Sequence, residues 1–107
     1  MSKYFNIKQN GFDSRKEEAR FAELRLLERA GVITDLKRQV PIELLPPQYV
    51  DGKCVERAVK YVADFTYTEK GAPVVEDVKS EITRKNKDYI IKRKLLLYIH
   101  GIRLRET

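Results

Sequence analysis

Apolar positions recur along the chain with two periods, and the changes of period divide it into elements. Phe21, Leu24 and Leu27 step by three residues, the spacing of one face of an α-helix. Ser14-Arg15-Lys16-Glu17, just before them, has the form of a capping box with Ser14 as N-cap and Glu17 as reciprocal acceptor. Gly31 stands where a glycine just past a helix end is expected. These signals predict a helix from Ser14 to about Gly31. Residues 1–12 show no sustained period and read as an N-terminal arm ahead of one domain over 13–107.

The period then falls to two. Thr34-Asp35-Leu36 reads as a connector, and Gln39 to Leu45 as a strand halted by Pro46-Pro47. Asp51-Gly52 reads as a turn. From Val55 to Thr68 the alternation is long: Val59, Tyr61, Ala63, Phe65 and Tyr67 share one face, and Lys60, Val62, Asp64 and Thr66 the other. Glu69-Lys70-Gly71-Ala72 predicts a hairpin loop, with a return strand from Pro73 to Lys79. A polar, lysine-rich segment over 80–87 leads to a helix at about 87–99 carrying Ile90, Ile91, Leu95 and Tyr98, closed by Gly101. Ile102 to Arg105 reads as a last strand. The order is helix, three strands, helix, strand: an α/β or α+β domain with one sheet and helices packed on it.

Composition narrows the chemistry. A chain of 107 residues with 42% hydrophobic positions supports one small core. No run of eighteen apolar residues occurs, which excludes a membrane-spanning helix. Met1-Ser2-Lys3-Tyr4-Phe5 lacks the apolar stretch of a secretory signal, so a cytoplasmic location is expected. Cys54 and His100 are the single cysteine and histidine. That excludes an internal disulfide and a multi-cysteine zinc site, and leaves little room for a histidine-based triad. The chemistry is left to carboxylates, lysines and backbone. Cys54 reads as a small apolar residue near a strand start. His100 fits a helix C-terminus.

Charge is unevenly placed. Nine Lys/Arg against Glu81 and Asp88 make Lys79–Arg105 +7, while the rest of the chain is −1 within a net charge of +6. A basic third on a near-neutral body suits a polyanion. A plain solvated helix face is the alternative.

The hairpin supplies the sharpest inference. A loop centred between Lys70 and Gly71 sets Asp64 opposite Asp77, their Cβ atoms roughly 5 Å apart, where like charges repel. A divalent cation turns that repulsion into coordination, and hard oxygen ligands suit Mg²⁺ or Mn²⁺. Lys79, two residues on, projects from the same face. An ammonium there orients an attacking water or stabilises charge developing on a phosphate. Alternatively one aspartate faces solvent and Lys79 neutralises the pair; a one-residue slip of the loop also breaks the opposition. Glu17 falls inside the apolar stripe of the first helix. It is either a third acidic residue aimed at the sheet or fully used by the cap.

An acidic residue on the first helix, an Asp on the second strand and Asp77-Val78-Lys79 on the third resemble the PD-(D/E)XK nuclease superfamily. Phe12-Asp13-Ser14-Arg15-Lys16-Glu17, the segment Glu23 to Gly31, Tyr61-Val62-Ala63-Asp64-Phe65 and Val75-Glu76-Asp77-Val78-Lys79 are similar to a family of small phage and prophage proteins of uncharacterised function (DUF1064-like). The resemblance runs from about Phe12 to Arg105. It implies a restriction-endonuclease-like core with a central mixed sheet flanked by helices. By the same resemblance Asp64 and Asp77 hold the metal with the Val78 carbonyl, Lys79 is the catalytic lysine and Glu17 the helix-borne acid. Ala63 stands where the superfamily's signature has proline, and alternation puts Glu76 on the face away from Lys79. Lys85, Lys92 and Arg93 become candidate phosphate contacts. Lys94 either reaches toward the site or snorkels along the core, and Tyr89 either stacks on a base or is core. The expected activity is Mg²⁺- or Mn²⁺-dependent endonucleolytic hydrolysis of DNA, structure-selective or nonspecific. The resemblance to small resolvase-type nucleases implies branched DNA, as in recombination, and a homodimer. The competing expectation is a catalytically silent DNA-binding or phage-assembly module on the same fold. RNA as substrate stays open.

Overall fold

The computed structural model describes residues 14–107; the arm expected over 1–12 lies outside them. Helix α1 spans Arg15–Arg29, and the Ser14 side chain accepts the Glu17 N–H at 3.1 Å, the first half of the expected box. Gly31, with φ +79°, turns the chain into strand β1, Ile33–Leu45. The stretch expected as a connector, Thr34–Leu36, is therefore the start of this strand, with an irregularity between Thr34 and Lys37. Strands β2 (Gln48–Val50) and β3 (Lys53–Glu56) form a separate exposed hairpin. Its turn, Asp51-Gly52, has φ positive at both residues, the two-residue geometry that matches strand twist.

Strand β4 covers Val59–Glu69 and β5 Ala72–Asp77. The alternating stretch expected from Val55 is thus divided at Arg57-Ala58, its first residues belonging to β3. Lys70 (φ +52°) and Gly71 (φ +78°) make the two-residue turn, and Glu69 pairs with Ala72 on through Phe65 with Glu76. A one-turn helix α2, Glu81–Arg84, lies within the segment read as polar linker. Helix α3 spans Lys87–His100 and is capped by Gly101 in the left-handed conformation. The last strand, β6, is only Arg105–Glu106, and runs parallel to β5. The result is a mixed α/β fold whose four-stranded sheet has the order β1-β4-β5-β6, antiparallel except for the final pair.

Two apolar clusters flank this sheet. Leu24, Ile33, Phe65 and Tyr67 gather under α1 with Phe21 and Leu27. Leu44, Tyr61, Ala63, Val75, Tyr89 and Leu96 gather under α3. Val74 and Val75, adjacent on β5, divide between the two, as a strand's alternating faces require. Tyr61 and Ala63 share a parity with Phe65 and Tyr67 yet pack on the other cluster. Strand β4 therefore turns over at Asp64. Its partner makes the same change: Leu36 packs toward α1, Ile42 and Leu44 toward α3, and Gln39 between them has φ +52°. The ladder passes from Arg38–Phe65 to Val40–Ala63 without a change of register, with Gln39 and Asp64 facing each other but left out of the pairing.

Helix α3 buries Tyr89 and Leu96. Ile91 and Tyr98, expected on its apolar face, are 57% and 88% exposed. Apolar residues surround this helix almost completely, so period alone does not choose its buried stripe. Tyr89 is core, as one of the two readings had it, and Cys54 is exposed on β3 rather than packed. His100 is the last helical residue, its Nε2 2.6 Å from the Glu43 carbonyl oxygen.

Candidate active site

The unpaired position at Asp64 and the end of β5 bring the sequence-predicted carboxylates together. One residue past the last ladder pair, the Asp64 N–H donates to Asp77 Oδ1 at 2.7 Å, and the Val78 N–H donates to Asp64 Oδ2 at 2.9 Å. Asp77 is 1% exposed. Its Oδ2 also accepts the Tyr61 hydroxyl and lies 2.9 Å from Lys79 Nζ. Lys79 lies beyond the end of β5, yet its ammonium comes back over Asp77 and over the Tyr89 ring, 4.5 Å from the centroid. The segment is pinned by the last residue of the chain: Lys79 N–H donates to the Thr107 carbonyl and Thr107 N–H to that of Asp77.

Glu17 is 3% exposed. It is joined to the pair through Gln39, whose Nε2 donates to Glu17 Oε2 at 2.9 Å and stands 3.5 Å from Asp64 Oδ1. A left-handed Gln39 bridging the first helix to Asp64 has no sequence signature of its own. Glu17, Asp64, Val78 and Lys79 line one open hollow of about 340 Å³ with Lys16 and Thr83. Lys16, which the sequence did not single out, donates to the Lys79 carbonyl at 3.0 Å.

Electrostatics single out Asp64. Burial first, and then the charge of Asp77, push its carboxyl from 3.8 up to about 6; Glu17 adds to the rise, and the Val78 N–H and Lys79 oppose it. The Tyr61 hydroxyl is pushed up by burial and by its bond to Asp77, so it stays a donor. Tyr61 could have been suspected, since a tyrosine on the apolar face needs a partner for its hydroxyl. Glu76, on the other face, is 0% exposed. Burial works against its charge, but hydrogen bonds from Arg20, Tyr67 and Thr107 outweigh it and hold the carboxyl below its usual range. Glu76 thus belongs to the α1 side, away from Lys79, as alternation requires.

The basic candidates separate. Lys92 lines a second hollow with Asp77 and Lys79. Lys94 is exposed and lines, with Arg93, a groove between α3 and the C-terminal strand. Arg93 lies over the Tyr89 ring and 3.7 Å from Glu106. Lys85 caps α2, its N–H bonded to the Ile82 carbonyl. Among the described residues no three histidine, cysteine or acidic side chains form a group that could hold a metal ion.

Fold and site together define a small mixed α/β protein with a buried and a half-buried aspartate, and a lysine, at the end of an antiparallel hairpin. The chain belongs to the family described as a protein of unknown function, DUF1064, which matches residues 1–105. Neither a curated protein nor a solved structure matches it. No helix among the described residues is long and apolar enough to cross a membrane.

Proposed function

We propose that this protein is a metal-dependent nuclease of the PD-(D/E)XK type, with a restriction-endonuclease-like core, that hydrolyses DNA phosphodiester bonds. One observation carries the reading: Asp64 and Asp77 meet at the end of the β4–β5 hairpin with Lys79 Nζ 2.9 Å from Asp77. The donor set fits Mg²⁺ or Mn²⁺, which binds through one or two carboxylates and otherwise keeps water. Asp64 and Asp77 would hold it, with the Val78 carbonyl as a third oxygen. The Asp64 carboxyl is raised first by burial and then by the Asp77 charge, a rise that a bound cation would oppose. A bound cation there would polarise a phosphoryl oxygen and acidify a water. Lys79 stands ready beside the charge that develops on the phosphate. Tyr61 and the Asp64 N–H fix the Asp77 carboxylate, and Gln39 holds Glu17 facing the same hollow. Branched DNA and a homodimer with two active sites belong to this reading by analogy with small resolvase-type nucleases.

A second reading rests on Asp77. Its oxygens are already taken by Tyr61, the Asp64 N–H and Lys79, the arrangement expected of a catalytically silent DNA-binding or phage-assembly module. Incubation with plasmid, single-stranded and four-way-junction DNA, in Mg²⁺, Mn²⁺ or EDTA, separates the two. The nuclease cuts only with metal, and Asp64→Asn and Lys79→Ala each slow it by about 100-fold or more. Cutting that survives Asp64→Asn and Asp77→Ala refutes the site, and binding without cutting in every metal supports the silent module. Single-stranded RNA in the same assay decides the sugar.

A further inference from the structure

Lys79 borders two hollows. On one side lies the Glu17–Asp64–Val78 hollow; on the other, a hollow of about 310 Å³ lined by Lys60, Tyr61, Asp77, Asp88, Tyr89 and Lys92. Lys79 is the one residue common to both. In the second hollow Asp77 is already neutralised by Lys79 at 2.9 Å. Lys60 and Lys92 converge there from β4 and α3, and neither has an ion-pair or hydrogen-bond partner among the described residues. Lys60 faces Glu43 across the β1–β4 ladder, and Asp88 lies one turn before Lys92, yet neither carboxylate closes on a lysine. The floor is aromatic: the Tyr61 and Tyr89 rings lie 6.3 Å apart. Lys60, Lys79 and Lys92 against Asp77 and Asp88 leave this hollow with an excess of positive charge, which suits an anion rather than a second cation.

Resting on the nuclease reading, we propose that the Lys60–Lys92 hollow is a phosphate subsite for the nucleotide next to the one at Asp64. The substrate strand then crosses Lys79 from one hollow to the other. Each backbone phosphate neutralised on a single strand contributes about 0.7 to the slope of log binding constant against log salt. A fluorescein-labelled single-stranded DNA oligonucleotide, titrated by anisotropy in EDTA over a range of salt, reads this without any cleavage. Lys60→Gln/Lys92→Gln is expected to weaken binding about 10-fold or more and lower the slope by about 0.7, the share of one phosphate. The charge-matched control Lys37→Gln/Lys53→Gln, at exposed positions outside both hollows, should leave the slope unchanged. Equal losses in both variants, or none in the first, overturn the subsite. Parallel cleavage assays of the wild type in Mg²⁺ report separately on hydrolysis: a chain that never cuts but shows the selective loss keeps the phosphate site and loses the nuclease.

Discussion

Asp64 concentrates the physical tension of the site in one carboxyl. Its folded-state value, about 6 against 3.8, means that the native chain holds this proton more tightly than the unfolded chain does. The sign follows directly. Below the ordinary value both states are protonated and nothing is lost. As pH rises through about 6 the native state must carry a charge it disfavours. With solvent screening allowed for at this half-buried group, stability falls by on the order of 1–2 kcal/mol. Asp64→Asn keeps an acceptor for the Val78 N–H and removes that charge. Urea denaturation at pH 7.5 without metal should show the Asp64→Asn variant more stable than wild type by this amount, with the gain vanishing toward pH 4. Millimolar Mg²⁺ should narrow the gap by stabilising the wild type alone. A variant no more stable at pH 7.5 would mean that the native fold does not disfavour the Asp64 charge.

Between elements, a two-point polar tie joins Arg20 to Glu76. The guanidinium grips both carboxylate oxygens, at 2.6 and 3.1 Å, and so fastens α1 to β5. Removing one partner of a buried pair leaves a stranded charge, so Arg20→Ala is expected to cost about 3–5 kcal/mol in chemical denaturation. Arg20→Met/Glu76→Leu should recover much of it; a recovery no better than Arg20→Ala would show that Tyr67 and Thr107, not Arg20, set the energy. Because Glu76 is held low, its contribution is present above the ordinary carboxylate range and lost as pH falls through its depressed value.

At this scale the sequence was informative where a local rule had one solution. The Ser14 cap, the Lys70-Gly71 turn and hence the meeting of Asp64 with Asp77 each follow from a few adjacent residues. The assignment of Glu76 away from Lys79 needed only strand alternation. What stayed hidden depends on distant partners. Gln39 takes a left-handed conformation with no glycine or asparagine to announce it. The β2–β3 hairpin interrupts an alternation that looked continuous through Arg57. Helix α3 is apolar on nearly all sides, so its contact with the sheet, not its period, decided that Tyr89 and Leu96 go inside.

For the molecule as a whole, the basic third of the chain does not form one uniform face. Lys92 looks into the hollow beside Asp77, Lys94 into the groove along the C-terminal strand, and Arg93 is occupied by Tyr89 and Glu106. The net charge of +6 is therefore less informative than the placement near the aspartates of Lys60 and Lys92, whose ammonium groups have no ion pair among the described residues. The exchange of faces at Gln39 and Asp64 has a mechanical side. Each helix grips a different half of β4, so the site lies where two small cores are joined rather than inside either. Such a seam can open without melting both halves. Native-state hydrogen exchange should resolve two families of protected amides, those around Leu24, Phe65 and Tyr67 and those around Ala63 and Leu96. The Asp64 and Val78 amides should follow the weaker family; one shared opening energy would mean a single cooperative block. Two separate opening energies would mean that the carboxylates part and close again at the join while each core stays shut.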